Sequence, residues 1–169
     1  FLYATQSKDV FTAEPYLTVL NNPSPWTNRI MPKFGPFDRA LGEQLFKLGN
    51  GFGSYMLVSR IKNVSAIDLT DVRSELSKFM DAPDVVSVRL MKLDRSATDI
   101  KTQEKTMRQG AEGDFHYLLI VEAISESGGV NAQKHFPQIV SKAFPRAEKT
   151  DNSIRKVLYG ETSFEGPAN

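Results

Sequence analysis

The sequence predicts an α+β domain organised around residues 55–123. Three apolar runs, at 55–61, 85–93 and 115–124, have the composition of strands, and a helical pattern lies between the first two. The length of 169 residues fits one domain, and the hydrophobic share of 40% is ordinary for a globular protein. We therefore expect a chain that folds around one core.

Each element of this core has its own periodicity. The helix at 70–80 places four apolar side chains on one face: Val72, Leu76, Phe79 and Met80. Thr70 is a suitable N-cap, and Pro83 lies just past the end. Residues 85–93 alternate between apolar and polar side chains, which predicts a strand with one polar face. Residues 115–124 are apolar on both faces, so this strand is expected at the centre of the sheet.

The N-terminal third of the chain is rich in proline and glycine. Proline removes a backbone donor and glycine weakens element interiors, so residues 16–53 are expected to be largely irregular. A short strand is expected within them at 16–20. The turn at 21–26 is expected to deliver Trp26 onto the core.

The chain is divided into an N-terminal arm at 1–15, a single domain at 16–165 and a frayed tail at 166–169. The domain is expected to close with a strand at 154–164. The chain begins at Phe1 without a methionine or a signal-like segment, so we expect either a processed form or the ordered part of a longer protein.

Residues 131–144 allow two interpretations. Several apolar side chains fall on one helical face: Ala132, Phe136, Ile139, Val140, Ala143 and Phe144. Pro137 interrupts this pattern, so the segment is either a helix that starts near Pro137 or an edge strand at 138–144. Periodicity favours the helix.

The composition excludes several classes of function. The 21 basic and 20 acidic residues are interleaved, which argues against a nucleic-acid partner, because such a partner normally requires a basic stripe. The absence of cysteine excludes a disulfide framework, thiol catalysis and thiolate metal sites. With two histidines, a zinc site would need carboxylates as its remaining ligands. No run approaches the roughly 18 apolar residues of a membrane span.

No motif in the sequence indicates catalysis. His116 and Tyr117 are neighbours on a predicted strand and point to opposite faces, so they cannot act as a pair. His116 is interpreted as a hydrogen-bonded core residue and His135 as a surface residue. The glycine-rich run at 49–53 precedes a strand and lacks a lysine followed by serine or threonine, so it is a poor phosphate loop. We predict that the protein is not an enzyme and has no catalytic residue, metal site or cofactor.

Several short segments occur in an order and spacing that cover most of residues 16–160. They are Asn22-Pro23-Ser24-Pro25-Trp26, the turn at 64–72, Phe115-His116-Tyr117-Leu118, Lys134-His135 and Arg155-Lys156-Val157-Leu158-Tyr159. In this order they resemble the PsbP family of lumenal extrinsic photosystem proteins. The resembling features are a turn with proline and tryptophan after a strand, a turn before a helix, paired aromatics that open a central strand, a basic residue with histidine, and a closing strand that ends in leucine and tyrosine.

The resemblance implies an antiparallel sheet with helices packed on both faces, as in the PsbP-like α/β/α sandwich. It also implies a non-catalytic extrinsic subunit in the thylakoid lumen of a chloroplast. Such a subunit docks on the lumenal side of photosystem II, beside the other extrinsic subunits of the oxygen-evolving complex. There it stabilises the complex and helps to retain the calcium and chloride needed for water oxidation. The protein would be peripheral to the membrane and not inserted.

The N-terminal arm is the part of the family that matters for docking. By position, and not by motif, residues 1–11 correspond to it here. The residues expected to bind the photosystem core are Phe1, Leu2, Tyr3, Lys8, Asp9 and Phe11. An irregular arm fits this role because it can gain order from its partner.

Two other classes of protein explain the same elements. From residue 55 onward, the order strand, helix, strand, strand, helix, strand would give a ferredoxin-like βαββαβ domain. Two copies could close into a dimeric α+β barrel that acts as an enzyme or binds small molecules, with His116 or Tyr117 as acid or base. A helix at 131–144 favours this alternative, and a strand there favours the PsbP-like sheet. An accessory scaffold subunit of another large complex is the third possibility.

Overall fold

The computed structural model describes residues 2–5, 7–34, 40–63, 65–107 and 114–160. Within these residues the chain forms a five-stranded antiparallel sheet of strand order β1-β3-β4-β2-β5. The strands are β1 (Gly42–Leu48), β2 (Tyr55–Lys62), β3 (Val85–Leu93), β4 (Tyr117–Ala123) and β5 (Lys149–Lys156). The α+β class that the sequence predicts is confirmed, and the apolar run at 115–124 does provide the central strand.

The helices are α1 (Glu14–Asn21), α2 (Pro25–Ile30), α3 (Leu69–Ser77), α4 (Arg95–Thr98), α5 (Gln103–Met107) and α6 (Glu126–Ala143). Short 3₁₀ turns add Lys8–Phe11, Met31–Lys33 and Lys78–Asp81. The N-cap of α3 is Asp68 and not Thr70, because the Asp68 carboxylate accepts from the backbone N–H groups of Thr70 and Asp71.

The topology from β2 onward is the ferredoxin-like one. The elements run β2-α3-β3-β4-α6-β5, and the sheet places these strands in the order β3-β4-β2-β5. Strand β1 pairs with the outer edge of β3 and extends the sheet. The ferredoxin-like alternative therefore describes this connectivity, with one strand added.

Residues 131–143 are helical and Phe144 is the C-cap, so the interpretation of 138–144 as an edge strand is wrong. Helix α6 begins long before Pro137, at an N-cap in which Ser125 accepts from the Gly128 N–H. The ring of Pro137 lies on the exposed side of the helix, while Phe136 and Val140 are buried. Packing of the apolar face outweighs the lost backbone hydrogen bond.

The expectation that residues 16–53 are largely irregular, with a strand at 16–20, is corrected. This segment contains α1, α2 and β1. Pro15 and Pro25 each occupy the first turn of a helix, where a backbone donor is not needed. Trp26 lies on α2 and is 61% exposed, so it is not an aromatic anchor of the core.

The last strand also differs from the prediction. Strand β5 begins at Lys149 and ends at Lys156, so its centre lies before the expected residues. Leu158 and Tyr159 follow the strand and are strongly exposed. Residues 161–164, which the predicted strand included, and the tail at 166–169 lie outside the described residues.

The core lies between the sheet and the two longest helices. Helices α3 and α6 contact each other, and α6 packs across β2, β3, β4 and β5. The buried side chains at this interface include Leu57, Leu76, Leu119, Phe136 and Val140. Helices α1 and α5 pack on each other. The two long helices, α3 and α6, lie on one face of the sheet. The opposite face is therefore the one that can present polar side chains.

Replacing Pro137 by alanine should stabilise the fold. The substitution restores a backbone donor inside α6, where proline costs up to about 3 kcal/mol, less the gain in unfolded-state entropy. We expect the free energy of unfolding in urea to rise by roughly 1–3 kcal/mol. Gln138→Ala, at the neighbouring exposed position, should change it by less than about 0.5 kcal/mol. A loss of stability in Pro137→Ala would show that the helix needs a bend at this point.

Candidate functional site

The candidate site lies on the sheet face opposite α3 and α6. Side chains alternate along a strand, so Leu119 and Val121 of β4 enter the core while Ile120 and Glu122 point to the other side. Glu122 is opposite Ser87 of β3 in the register, and Arg89 is opposite Ile120. Ser87, Arg89 and Glu122 therefore share one patch of this open face.

Glu122 and Arg89 form an ion pair that is almost removed from solvent. Their closest atoms, Nη2 of Arg89 and Oε1 of Glu122, are 2.6 Å apart, and the side chains are 14% and 0% exposed. The other carboxylate oxygen, Oε2, accepts a hydrogen bond of 2.9 Å from the Gly53 backbone N–H. The pair thus ties β3 and β4 to the loop between β1 and β2.

Three buried polar atoms of this cluster have no hydrogen-bond partner among the described residues. They are Ser87 Oγ, Arg89 Nε and Glu122 Oε1. The short contact between Arg89 and Glu122 is an ion pair that lacks the direction of a hydrogen bond, so it leaves Oε1 available as an acceptor. A buried polar atom without a partner costs about 1–3 kcal/mol, which makes this concentration of such atoms unusual in a folded protein.

The loop at 49–54 covers the cluster. The ring of Phe52 lies over the Arg89 guanidinium, with Cζ 5.9 Å from the ring centre, and over the Lys47 ammonium at 5.2 Å. Gly53 sits so close to β4 that a Cβ there would lie 2.5 Å from the Ala123 carbonyl oxygen. Phe52 itself remains 62% exposed. The loop thus covers the cluster and places the Phe52 ring over the cationic groups of Lys47 and Arg89.

The middle of the open face is apolar. Met56 and Val58 of β2 and Leu118 of β4 lie on the same side as Glu122 and are half-buried. The cluster therefore stands at one end of an apolar strip. Such an arrangement, a few polar groups beside apolar side chains, is typical of sites that bind small molecules.

The far end of the open face carries charges that are exposed. Arg60 Nη2 lies 2.7 Å from Asp151 Oδ2, and the two side chains are 45% and 40% exposed. Lys62 Nζ lies 2.7 Å from Asp114 Oδ2, and this hydrogen bond lowers the pKa of the Asp114 carboxyl. Because exposed pairs are screened by water, they contribute little to stability.

His116 and Tyr117 occupy opposite sides of the sheet, as predicted. Tyr117 packs in the core at 5.3 Å from the Phe144 ring centre, and burial raises the pKa of its hydroxyl. The backbone of His116 pairs with Ile61 and Leu93, which extends the alternation and places its side chain on the open face. The prediction of a hydrogen-bonded core histidine is not met, since Nδ1 has no partner among the described residues.

The predicted partner-binding residues lie on the N-terminal segment and not at the cluster. Leu2 and Tyr3 are exposed. Lys8 lies 3.8 Å from Asp94, Asp9 accepts from the Ser7 hydroxyl, and Phe11 packs edge-on against Tyr16 at 5.7 Å. Phe1 lies outside the described residues.

A concavity lies between α3 and α6, on the other side of the sheet from the cluster. It is an open groove of about 280 Å³ lined by residues that include Lys78, His135 and Lys142. His135 is exposed there, as the sequence predicted for a surface residue. None of its lining residues has a buried polar atom without a hydrogen-bond partner.

Among the described residues, no group of three or more His, Cys, Asp or Glu side chains is placed to hold a metal ion. No helix in this part of the chain is long and apolar enough to cross a membrane.

Sequence reasoning missed the cluster, although one signal for it was present. Glu122 is the charged residue within a strand that otherwise reads as apolar on both faces. A carboxylate at a buried position needs a partner, and the register of β3 with β4 supplies Arg89. The sequence alone does not give that register.

Comparison with protein-family models, with curated proteins and with solved structures finds no match.

The cluster makes a specific prediction about stability. Glu122→Leu or Arg89→Met alone should cost roughly 3–5 kcal/mol, because each leaves a buried charge without its partner. The double variant Arg89→Met/Glu122→Leu should recover most of this loss, since apolar side chains replace both charges. Urea unfolding of the four proteins gives the coupling energy.

The exposed pair Arg60–Asp151 is the matched control on the same sheet face. Arg60→Met and Asp151→Asn should each change the free energy of unfolding by about 1 kcal/mol or less. Additive losses at Arg89 and Glu122 would contradict the assignment of a buried, coupled pair.

Proposed function

We propose that this protein binds a small molecule on the open face of its sheet, at the cluster of Ser87, Arg89 and Glu122. The observation that carries the proposal is the group of three buried polar atoms that lack hydrogen-bond partners among the described residues. Buried groups of this kind are rare where they have no role, and a ligand can supply the missing partners. The apolar strip beside the cluster would hold the rest of the molecule.

The ferredoxin-like connectivity supports this proposal. Helix α6 and helix α3 occupy one face of the sheet, which leaves the cluster on the other. A second copy of the chain, stacked on that face, would enclose the strip as in a dimeric α+β barrel. Catalysis is not part of the proposal, because Tyr117 is in the core and His116 stands at the far end of the face from Glu122.

Binding can be tested with three small probes of one shape, benzyl alcohol, benzamide and benzoate, added at millimolar concentration. At least one should shift the ¹⁵N–¹H signals of the Gly53 amide and the Arg89 Nε–H saturably, because both groups adjoin the site. The Gly53 shift should vanish in Arg89→Met/Glu122→Leu, which approximately keeps the volume of the cluster and removes its two charged groups.

The matched control is Arg60→Met, which changes an exposed cation on the same face and should leave the shifts unchanged. The proposal fails if none of the probes gives saturable shifts in the unaltered protein. It also fails if the Gly53 shifts persist in the double variant.

A second function, docking as an extrinsic subunit on a photosystem, is favoured by a separate observation. The N-terminal segment exposes several large apolar side chains, namely Leu2, Tyr3, Val10, Val19, Trp26 and Phe34. Exposed apolar groups concentrated in one segment are typical of a surface that binds a partner. This segment includes the residues that the resemblance to the PsbP family selects.

Docking can be tested with photosystem II membranes stripped of their extrinsic subunits. The protein should bind them and raise oxygen evolution at low calcium and chloride. The variant Leu2→Ala/Tyr3→Ala should bind at least about tenfold more weakly, since a few apolar anchors dominate such interfaces. The control Leu158→Ala/Tyr159→Ala removes exposed apolar side chains at another site and should bind normally. Equal binding by both variants, or no binding by the unaltered protein, would refute docking through this segment.

A further inference from the structure

We infer that the group bound at the cluster is an uncharged amide or lactam, whose carbonyl accepts from Arg89 and Ser87 and whose N–H donates to Glu122. This inference rests on the proposed small-molecule function and specifies its ligand. It follows from which atoms of the cluster lack partners, from the charges around them and from the apolar surface beside them.

The missing partners are of two kinds. Arg89 Nε carries a hydrogen and can only donate, so it requires an acceptor. Glu122 Oε1 lies 2.6 Å from Arg89 Nη2 in the ion pair, and as a carboxylate oxygen it can accept from a further donor. Ser87 Oγ can do either. A ligand group that satisfies all three must therefore present an acceptor and a donor side by side, as an amide does.

The charges of the site select against ionised ligands. The carboxylate of Glu122 has one ion-pair partner and would repel a second carboxylate placed against Oε1. An ammonium group would face the guanidinium of Arg89 and would lack an oxygen for its Nε–H. Lys47, whose ammonium lies 5.2 Å from the centre of the Phe52 ring, adds a further positive charge nearby. A neutral group with both hydrogen-bonding functions avoids each of these costs.

The surroundings indicate an apolar or aromatic body on the ligand. Met56 lies opposite Glu122 in the register, and Ile120 precedes it on the same face of β4. The Phe52 side chain, which covers the cluster, is 62% exposed. A ligand would reach Arg89 by displacing the exposed Phe52 ring, which lies over the guanidinium.

The test compares dissociation constants of benzamide, benzoate and benzylamine, obtained from the shift of the Gly53 amide. Benzamide should bind roughly tenfold more tightly than either ion, the effect of one well-placed hydrogen bond to a charged group. Glu122→Gln removes the negative charge that repels a bound carboxylate and weakens the acceptor that would take the N–H of an amide ligand. Benzoate should then become the better ligand, and benzamide should weaken by a similar factor.

Asp151→Asn neutralises an exposed carboxylate on the same sheet face and should leave the ratio of the constants unchanged. Tighter binding of benzoate than benzamide to the unaltered protein would overturn the amide assignment while the proposed function stood. An unchanged ratio in Glu122→Gln would also overturn it. Failure of all three compounds, together with benzyl alcohol, would remove the proposed function and this inference with it.

Discussion

The packing of α6 on the sheet determines how the rest of the molecule is arranged. This helix lies across β2, β3, β4 and β5 and against α3, so it commits one face of every central strand to the core. Strand alternation then sends the intervening side chains to the opposite face, including Glu122 from the most buried strand. The position of the polar cluster is thus a consequence of where the helix packs.

The central elements could be predicted from the sequence because each has a clear period or composition. Residues 55–61 and 85–93 are strands and 69–77 is a helix, close to the predicted bounds. The N-terminal helices are not evident from the sequence because proline usually breaks a helix, whereas Pro15 and Pro25 stand in first turns, where proline is favourable. The sequence leaves α6 ambiguous because Pro137 interrupts its helical pattern. Burial of the apolar face decides in favour of a helix, and the local sequence does not show that burial.

The candidate site cannot be predicted from the sequence, for a different reason. Ser87 and Arg89 lie on one strand and Glu122 on another, and only the register of β3 with β4 brings them together. A one-residue shift in that register would send Glu122 to a position opposite another neighbour. The bulge between Val85 and Ser87, which moves the pairing by one residue, cannot be read from an alternating pattern. The sequence shows that Glu122 is a charged residue in an apolar strand, but only the pairing of β3 with β4 identifies its partner.

The cluster is a poor way to stabilise a protein. Replacing a buried ion pair with apolar side chains of similar volume is often neutral or stabilising, and here the pair also leaves polar atoms without partners. The Gly53 hydrogen bond to Glu122 holds the loop, but an apolar contact could do that at lower cost. In the ligand-binding function that we propose, the guanidinium, the carboxylate and the hydroxyl would provide specificity, because a ligand must match their donors and acceptors to bind there. The same unsatisfied atoms that lower the stability of the free protein would therefore favour the bound state.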